Sequence, residues 1–213
     1  MKFRATLFVL LTCFAPAMAT ADYVDGFGDA IDSFGAGGPI LDIDTLNINY
    51  DSANLYFDLS FHTPISAPSD GSNDSVVGFI ELDTDQSDET GIFPIQNSFS
   101  PPFASLTGVG VDFLIVLDDS ATPGSGFLTD ANLNFLNSVA LTYGPNSVSG
   151  HLPLSDIGND DGLLNFTTTI GTIPQPTDAT DSVGTSTATA IPEPAGAAVL
   201  GAIAIGRLLR RRA

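Results

Sequence analysis

The chain has 213 residues and carries 25 acidic side chains against six basic ones, for a net charge of −19 at pH 7. All six cations sit at the ends (Lys2, Arg4, Arg207, Arg210, Arg211 and Arg212), so residues 22–191 have no Lys or Arg to neutralise a phosphate, which excludes nucleic acid as a partner. With 43% hydrophobic residues, the chain is also too apolar for the disorder that acidic composition otherwise favours.

In chain order, Met1 to Ala21 has the pattern of a secretory signal peptide. Lys2 and Arg4 open it, an apolar run spans Ala5 to Phe14, and small residues lead to Ala19-Thr20-Ala21, which predicts cleavage before Asp22. Cys13, the only cysteine, falls inside this segment, so the mature chain has no disulfide and must be held by its core or by metal. Next come Asp22, Asp25, Asp29 and Asp32 in "DYVDGFGDAIDSFG". Two readings stay open for them, a metal site if this segment folds back on the domain and simple solvation if it does not.

From Leu46 onward the pattern alternates. Leu46, Ile48 and Tyr50 are interleaved with Asn47 and Asn49. After Asp51-Ser52-Ala53-Asn54, Leu55, Phe57, Leu59 and Phe61 alternate with polar residues, a hairpin signature. Further strands are predicted at Val76 to Leu82, Val109 to Leu117, Ser138 to Tyr143, Ser147 to Leu152 and Leu163 to Ile170, with Gly144-Pro145-Asn146 as one of the turns. A helical period appears only weakly, at Asp130 to Leu136. Seven or eight short strands predict an all-β fold, an antiparallel β-sandwich over residues 22–177.

The chemistry-bearing cluster is "ELDTDQSDETG", Glu81 to Gly91 at a predicted strand end. D-x-D spacing there aims two carboxylates at one point while the following loop adds oxygens, which makes Asp83, Asp85, Asp88 and Glu89 candidate calcium ligands. It is not an EF-hand, since Asp88 stands at the sixth position and Pro94 at the twelfth. Asp156, Asp160 and Asp161 read most simply as a turn before a last strand, with a metal site as the alternative. His62 and His151, the only histidines, lie in alternating patterns as outward strand side chains. With no G-x-S-x-G, no cysteine nucleophile and no metalloprotease His pair, the expectation is a non-enzymatic protein.

Residues 178–190, rich in Thr, Ser and Ala, read as a linker. Residues 191–213 then hold Pro192-Glu193-Pro194, an uncharged run from Ala195 to Gly206 that is short for a spanning helix, and the cluster Arg207, Arg210, Arg211 and Arg212. This tail resembles the PEP-CTERM sorting signal of bacteria with a Gram-negative envelope. The resemblance implies a single short transmembrane helix, an exosortase-type membrane protease as partner, transient membrane attachment, and delivery to the outer envelope or the exterior. It implies no activity.

The segments "INYDSANLYFDLSF", "GFIELDTDQSDETG", "VDFLIVLDD", "SVSGHLPLSDIGNDDGLLNF" and "PTDATDSVG" together are similar to the sandwiches of family 9 carbohydrate-binding modules and DOMON-like domains. That similarity implies a calcium-stabilised sandwich of jelly-roll type. The chain departs from it in having no Trp, with Tyr23, Tyr50, Tyr56 and Tyr143 its only tyrosines, and no Met or Lys beyond the signal region for heme ligation. The expectation is an exported, calcium-stabilised surface or matrix protein, with polysaccharide reached through bridging calcium. A carbohydrate-binding module and a glycosidase built on paired carboxylates are the alternatives.

Overall fold

The computed structural model describes residues 19–30, 40–72, 74–99, 105–158, 163–172 and 181–189, all within one compact unit, Met18–Ile191. Among the described residues the regular structure is entirely strands and short 3-10 turns, and no helix is long and apolar enough to cross a membrane. Pro192, Glu193, Pro194, Arg207, Arg210, Arg211 and Arg212 lie outside the described residues, as do the signal segment before Ala19, Asp32, Asp160 and Asp161.

Strand β1, Ala19–Val24, pairs with β2, Ile43–Tyr50, which turns directly into β3, Asn54–Phe61. The turn forms where the alternation breaks, because Asp51 can serve the backbone itself. Its Oδ1 accepts the amides of Ala53 and Asn54, each at 2.7 Å, and its Oδ2 accepts the Tyr56 hydroxyl at 2.7 Å. A bulge between Ile43 and Thr45 shifts the alternation by one residue. Ile43 therefore faces inward with Leu46, Ile48 and Tyr50.

The chain then crosses over to β4, Val76–Asp83, and meanders through β5, Phe113–Val116, β6, Ser125–Asp130, β7, Phe135–Tyr143, and β8, Ser147–Pro153. A second crossing leads to β9, Leu163–Thr172, and finally to β10, Asp181–Thr189. Every neighbouring pair is antiparallel, in the order β1-β2-β3-β8-β7-β6-β5-β4-β9-β10.

The predicted all-β antiparallel class is thus present, but the expected pair of separate sheets is not. One continuous ten-stranded sheet curls into a half-barrel around its main core. The core includes Leu46, Leu59, Ile80, Leu82, Leu128 and Phe166, each closed off from solvent. Pairing of β3 with β8 and of β4 with β9 carries the hydrogen-bond ladder through without a break, where a sandwich would interrupt it.

Three strands were not foreseen as they stand, and β5 is shorter than the predicted Val109 to Leu117, because Val109 and Val111 belong to the segment that leads into it. Residues 181–189, read as linker, form β10, so the strand at Leu163 is not the last. Thr and Ser are poor core residues but serve well on an edge strand, which pairs on one side only. β6 was not foreseen. The weak helical period at Asp130 to Leu136 is instead the β6–β7 turn, where Asp130 Oδ1 accepts the amides of Asn132 and Asn134 at 2.9 Å each and Leu133 adopts a φ of 63°. β1 spans the predicted cleavage point. Ala19 and Ala21 pair with Tyr50 and Ile48, and cleavage before Asp22 would leave Asp22–Val24 paired with Thr45–Asn47.

Candidate metal centre

The outer face of β4 and β5 is not solvated, because the segment after Asp83 folds back over it. Val109, Val111 and Leu114 form a second small core there, joined by Phe79, Ile92 and Ile95. A backbone bridge between Ile92 and Val111 pins the segment in place. Glu81 is sealed beneath it at 0% exposure, accepting the Ile95 amide at 2.7 Å and the Thr169 hydroxyl at 2.9 Å. Loss of hydration raises its pKa to about 7, and the two hydrogen bonds offset only part of that.

At the end of the same face the acids converge. The β4–β5 register ends with Leu82 opposite Phe113, which sets Asp83 and Asp112 side by side on the outer face. One carboxylate oxygen from each of Asp83, Asp85 and Asp112 lies within 4.8 Å of the others. Asp83 is fully buried and accepts the Ser87 amide at 3.2 Å and the Asn165 side chain at 3.1 Å. Burial is the chief cause of its raised pKa, with the Asp112 charge adding to it. Asp85 takes the Ser87 amide at 3.0 Å and the Thr90 hydroxyl at 2.9 Å, while Asp112 takes the Thr84 amide and hydroxyl, both at 2.9 Å.

Gly110 allows this closeness, since a Cβ there would collide with the Thr90 and Ser87 carbonyl oxygens. The cluster opens on one side into a cleft of about 620 Å³ bounded by Asp85, Asp112, Asp130, Asn132 and Gly158.

Of the four predicted ligands, the structure brings Asp83 and Asp85 together and leaves Asp88 and Glu89 exposed in the following turn, outside the cluster. Asp112, 27 positions beyond Asp85 in the numbering, takes their place. Local spacing could not supply it, because its position depends on strand register. Asp156 sits in the 3-10 turn Leu154–Ile157 and accepts the Asn137 side chain at 2.7 Å, a turn role as expected.

A second group was half foreseen. Asp25 and Asp29 meet Asp181, the first residue of β10, again with oxygens within 4.8 Å of one another. The N-terminal segment does fold back, and its acids find a partner in the stretch read as linker. Asp181 is 3% exposed; its Oδ2 accepts the Ile43 amide at 2.7 Å and its Oδ1 the Ser182 amide at 2.8 Å.

The two histidines are far apart in the sheet. His151 is exposed on the outer face, stacked on Tyr56 with ring centroids 5.7 Å apart, as an outward strand residue should be. His62 follows β3, its Nε2 3.8 Å from Asp44 Oδ1 and its ring edge-on to Phe27 at 5.0 Å.

Fold and site together define an all-β protein of one curled antiparallel sheet bearing two convergent carboxylate groups that could hold a metal ion. Neither protein-family models nor curated proteins show a match to the chain.

Proposed function

We propose that this is an exported, non-enzymatic surface or matrix protein whose fold is stabilised by calcium at Asp83, Asp85 and Asp112. The observation that carries the calcium reading is the convergence of these three carboxylates on a stretch of chain, residues 22–191, that has no Lys or Arg to pair with them. An all-oxygen donor set suits a hard cation, and calcium tolerates irregular geometry of this kind. Export and sorting rest on the two terminal signals, with an exosortase-type protease acting at Pro192-Glu193-Pro194. The open cleft beside Asp85 and Asp112 leaves room for an anionic polysaccharide to complete the calcium shell.

Thermal unfolding in chelator and in millimolar calcium tests the reading. At calcium near 100 times Kd, binding adds about 2.7 kcal/mol, which for a domain of this size raises Tm by roughly 5–10 °C. Asp112→Asn should lose part of that rise. Identical melting curves for the wild-type protein in the two buffers would remove calcium from the account.

A second reading, a carbohydrate-binding module, is favoured by one observation. Tyr56 and His151 form a stacked pair on the outer face, flanked by Asn49, Asp58, Thr142 and Ser149 around a shallow groove of about 460 Å³. Aromatic faces bordered by amides and hydroxyls suit sugar rings. A glycan array run with and without calcium should show binding that Tyr56→Ala abolishes, and a blank array in both conditions sinks this reading.

A further inference from the structure

We propose that Asp25, Asp29 and Asp181, backed by Asp42, form a second divalent-cation site that latches the two edges of the curled sheet to each other. Asp25 and Asp29 lie in the loop that leaves β1, Asp42 immediately precedes β2, and Asp181 opens β10 at the opposite edge of the sheet order. The Ile43–Asp181 hydrogen bond already joins those edges. The site is separate in sequence and in strand location from Asp83, Asp85 and Asp112, and it does not depend on that reading.

Convergence of acids alone would not make a site, but Asp42 adds an independent sign. It is 7% exposed, and its Oδ1 has no hydrogen-bond partner among the described residues. Its Oδ2 accepts the amide of Gly28, the neighbour of Asp29, at 2.8 Å, which turns the carboxylate toward the 25–29 loop. Its charge is felt at Asp25. Asp25 Oδ2 is likewise shut off from solvent and without a partner.

A buried anionic oxygen without a donor is costly. Backbone amides and hydroxyls can serve both oxygens of a buried carboxylate on this chain, although Asp74 Oδ1 is another without a partner among the described residues. Asp119, for example, accepts the Ser69 and Gly124 amides at 2.8 and 2.7 Å and the Ser69 hydroxyl at 3.0 Å. Here they do not.

Among the described residues, the one group bordering the loop that can carry a positive charge is His62, and it faces Asp44. Burial, followed by like-charge repulsion, raises Asp25 to about 6, while burial raises Asp181 to about 7 with Asp25 and Asp29 adding to it. The three carboxylates of Asp25, Asp29 and Asp181, with oxygens within 4.8 Å of one another, select a hard ion and suit a calcium shell with bonds of roughly 2.3–2.6 Å, while Asp42 lies beside them against the same loop.

Equilibrium dialysis of the protein against calcium, with variants, decides the matter. Wild-type protein should bind one calcium that Asp112→Asn retains and Asp42→Asn weakens by about tenfold or more, the scale of losing one charged contact. Asp29→Asn, at an exposed position, should weaken the same ion and serves if Asp42→Asn does not fold. An unchanged isotherm in Asp29→Asn overturns the proposal. Equal weakening by Asp70→Asn, an exposed acid outside both clusters, also overturns it by showing diffuse counterion attraction. Loss of calcium in Asp112→Asn alone would leave the Asp83 reading standing and this one refuted, and the reverse pattern would do the opposite.

Discussion

Glu81 shows how a chain without internal cations handles a buried charge. Its carboxylate has no counterion, only an amide from Ile95 and a hydroxyl from Thr169, and its pKa is lifted from 4.5 to about 7. A carboxyl whose folded pKa is raised holds its proton in the native state after the unfolded chain has released it. Below about 4.5 both states are protonated and no penalty exists. As pH rises from there to about 7 the folded state loses stability, by about 3 kcal/mol in all. Glu81→Gln keeps an acceptor for Ile95 and a partner for Thr169, so it should be near neutral at pH 4 and raise stability by about 2–3 kcal/mol at pH 8. Denaturant unfolding across that range measures this, and a variant whose stability tracks the wild type at every pH would show that Glu81 is not the titrating group. Nothing in the sequence marks Glu81 as buried. It alternates with Ile80 and Leu82 like any solvent-facing strand residue, and its burial comes from the Ile92–Ile95 segment closing over the outer face.

Elements built from short-range pattern were legible, and elements defined by distant pairing were not. The β2–β3 hairpin follows the Leu46 to Phe61 alternation and the Asp51 turn almost residue for residue. β4, β8 and β9 start where predicted, with Val76, Ser147 and Leu163, because their inward residues are large and regularly spaced. By contrast, β10 has the composition of a linker and is a strand only because β9 offers it an edge. The same division runs through the candidate site. Asp83 and Asp85 were readable from two-residue spacing, whereas Asp112 and Asp181 arrive through register and chain crossing. Asp88 and Glu89 looked equivalent to the residues that converge because spacing alone cannot tell a converging loop from a diverging one. Where alternation is strict the individual strands are recoverable, but the strands that lack it (β1, β6 and β10) and the division into sheets are not, so seven or eight strands were expected where ten are present. That is also why one continuous sheet stood where two were expected.

At the scale of the molecule, every fixed side-chain charge between Asp22 and Ile191 has the same sign, apart from the two histidines. Long-range electrostatics therefore opposes compaction, and screening should relieve it. In chelator, raising sodium chloride from 0.05 to 0.5 M should increase Tm by at least about 3 °C. A fall would mean that attractive pairs dominate and would contradict the charge pattern. The curled sheet also has a consequence for time. The Ile43–Asp181 bond joins residues 138 apart, and β10 can pair only after the crossing from β8 to β9 is made. Closure of such distant ends is slow, on the order of milliseconds to seconds. A chain emerging amino-terminus first through a narrow passage would keep its early strands unlatched until almost the whole domain had passed, so the topology itself would delay folding until the chain is through.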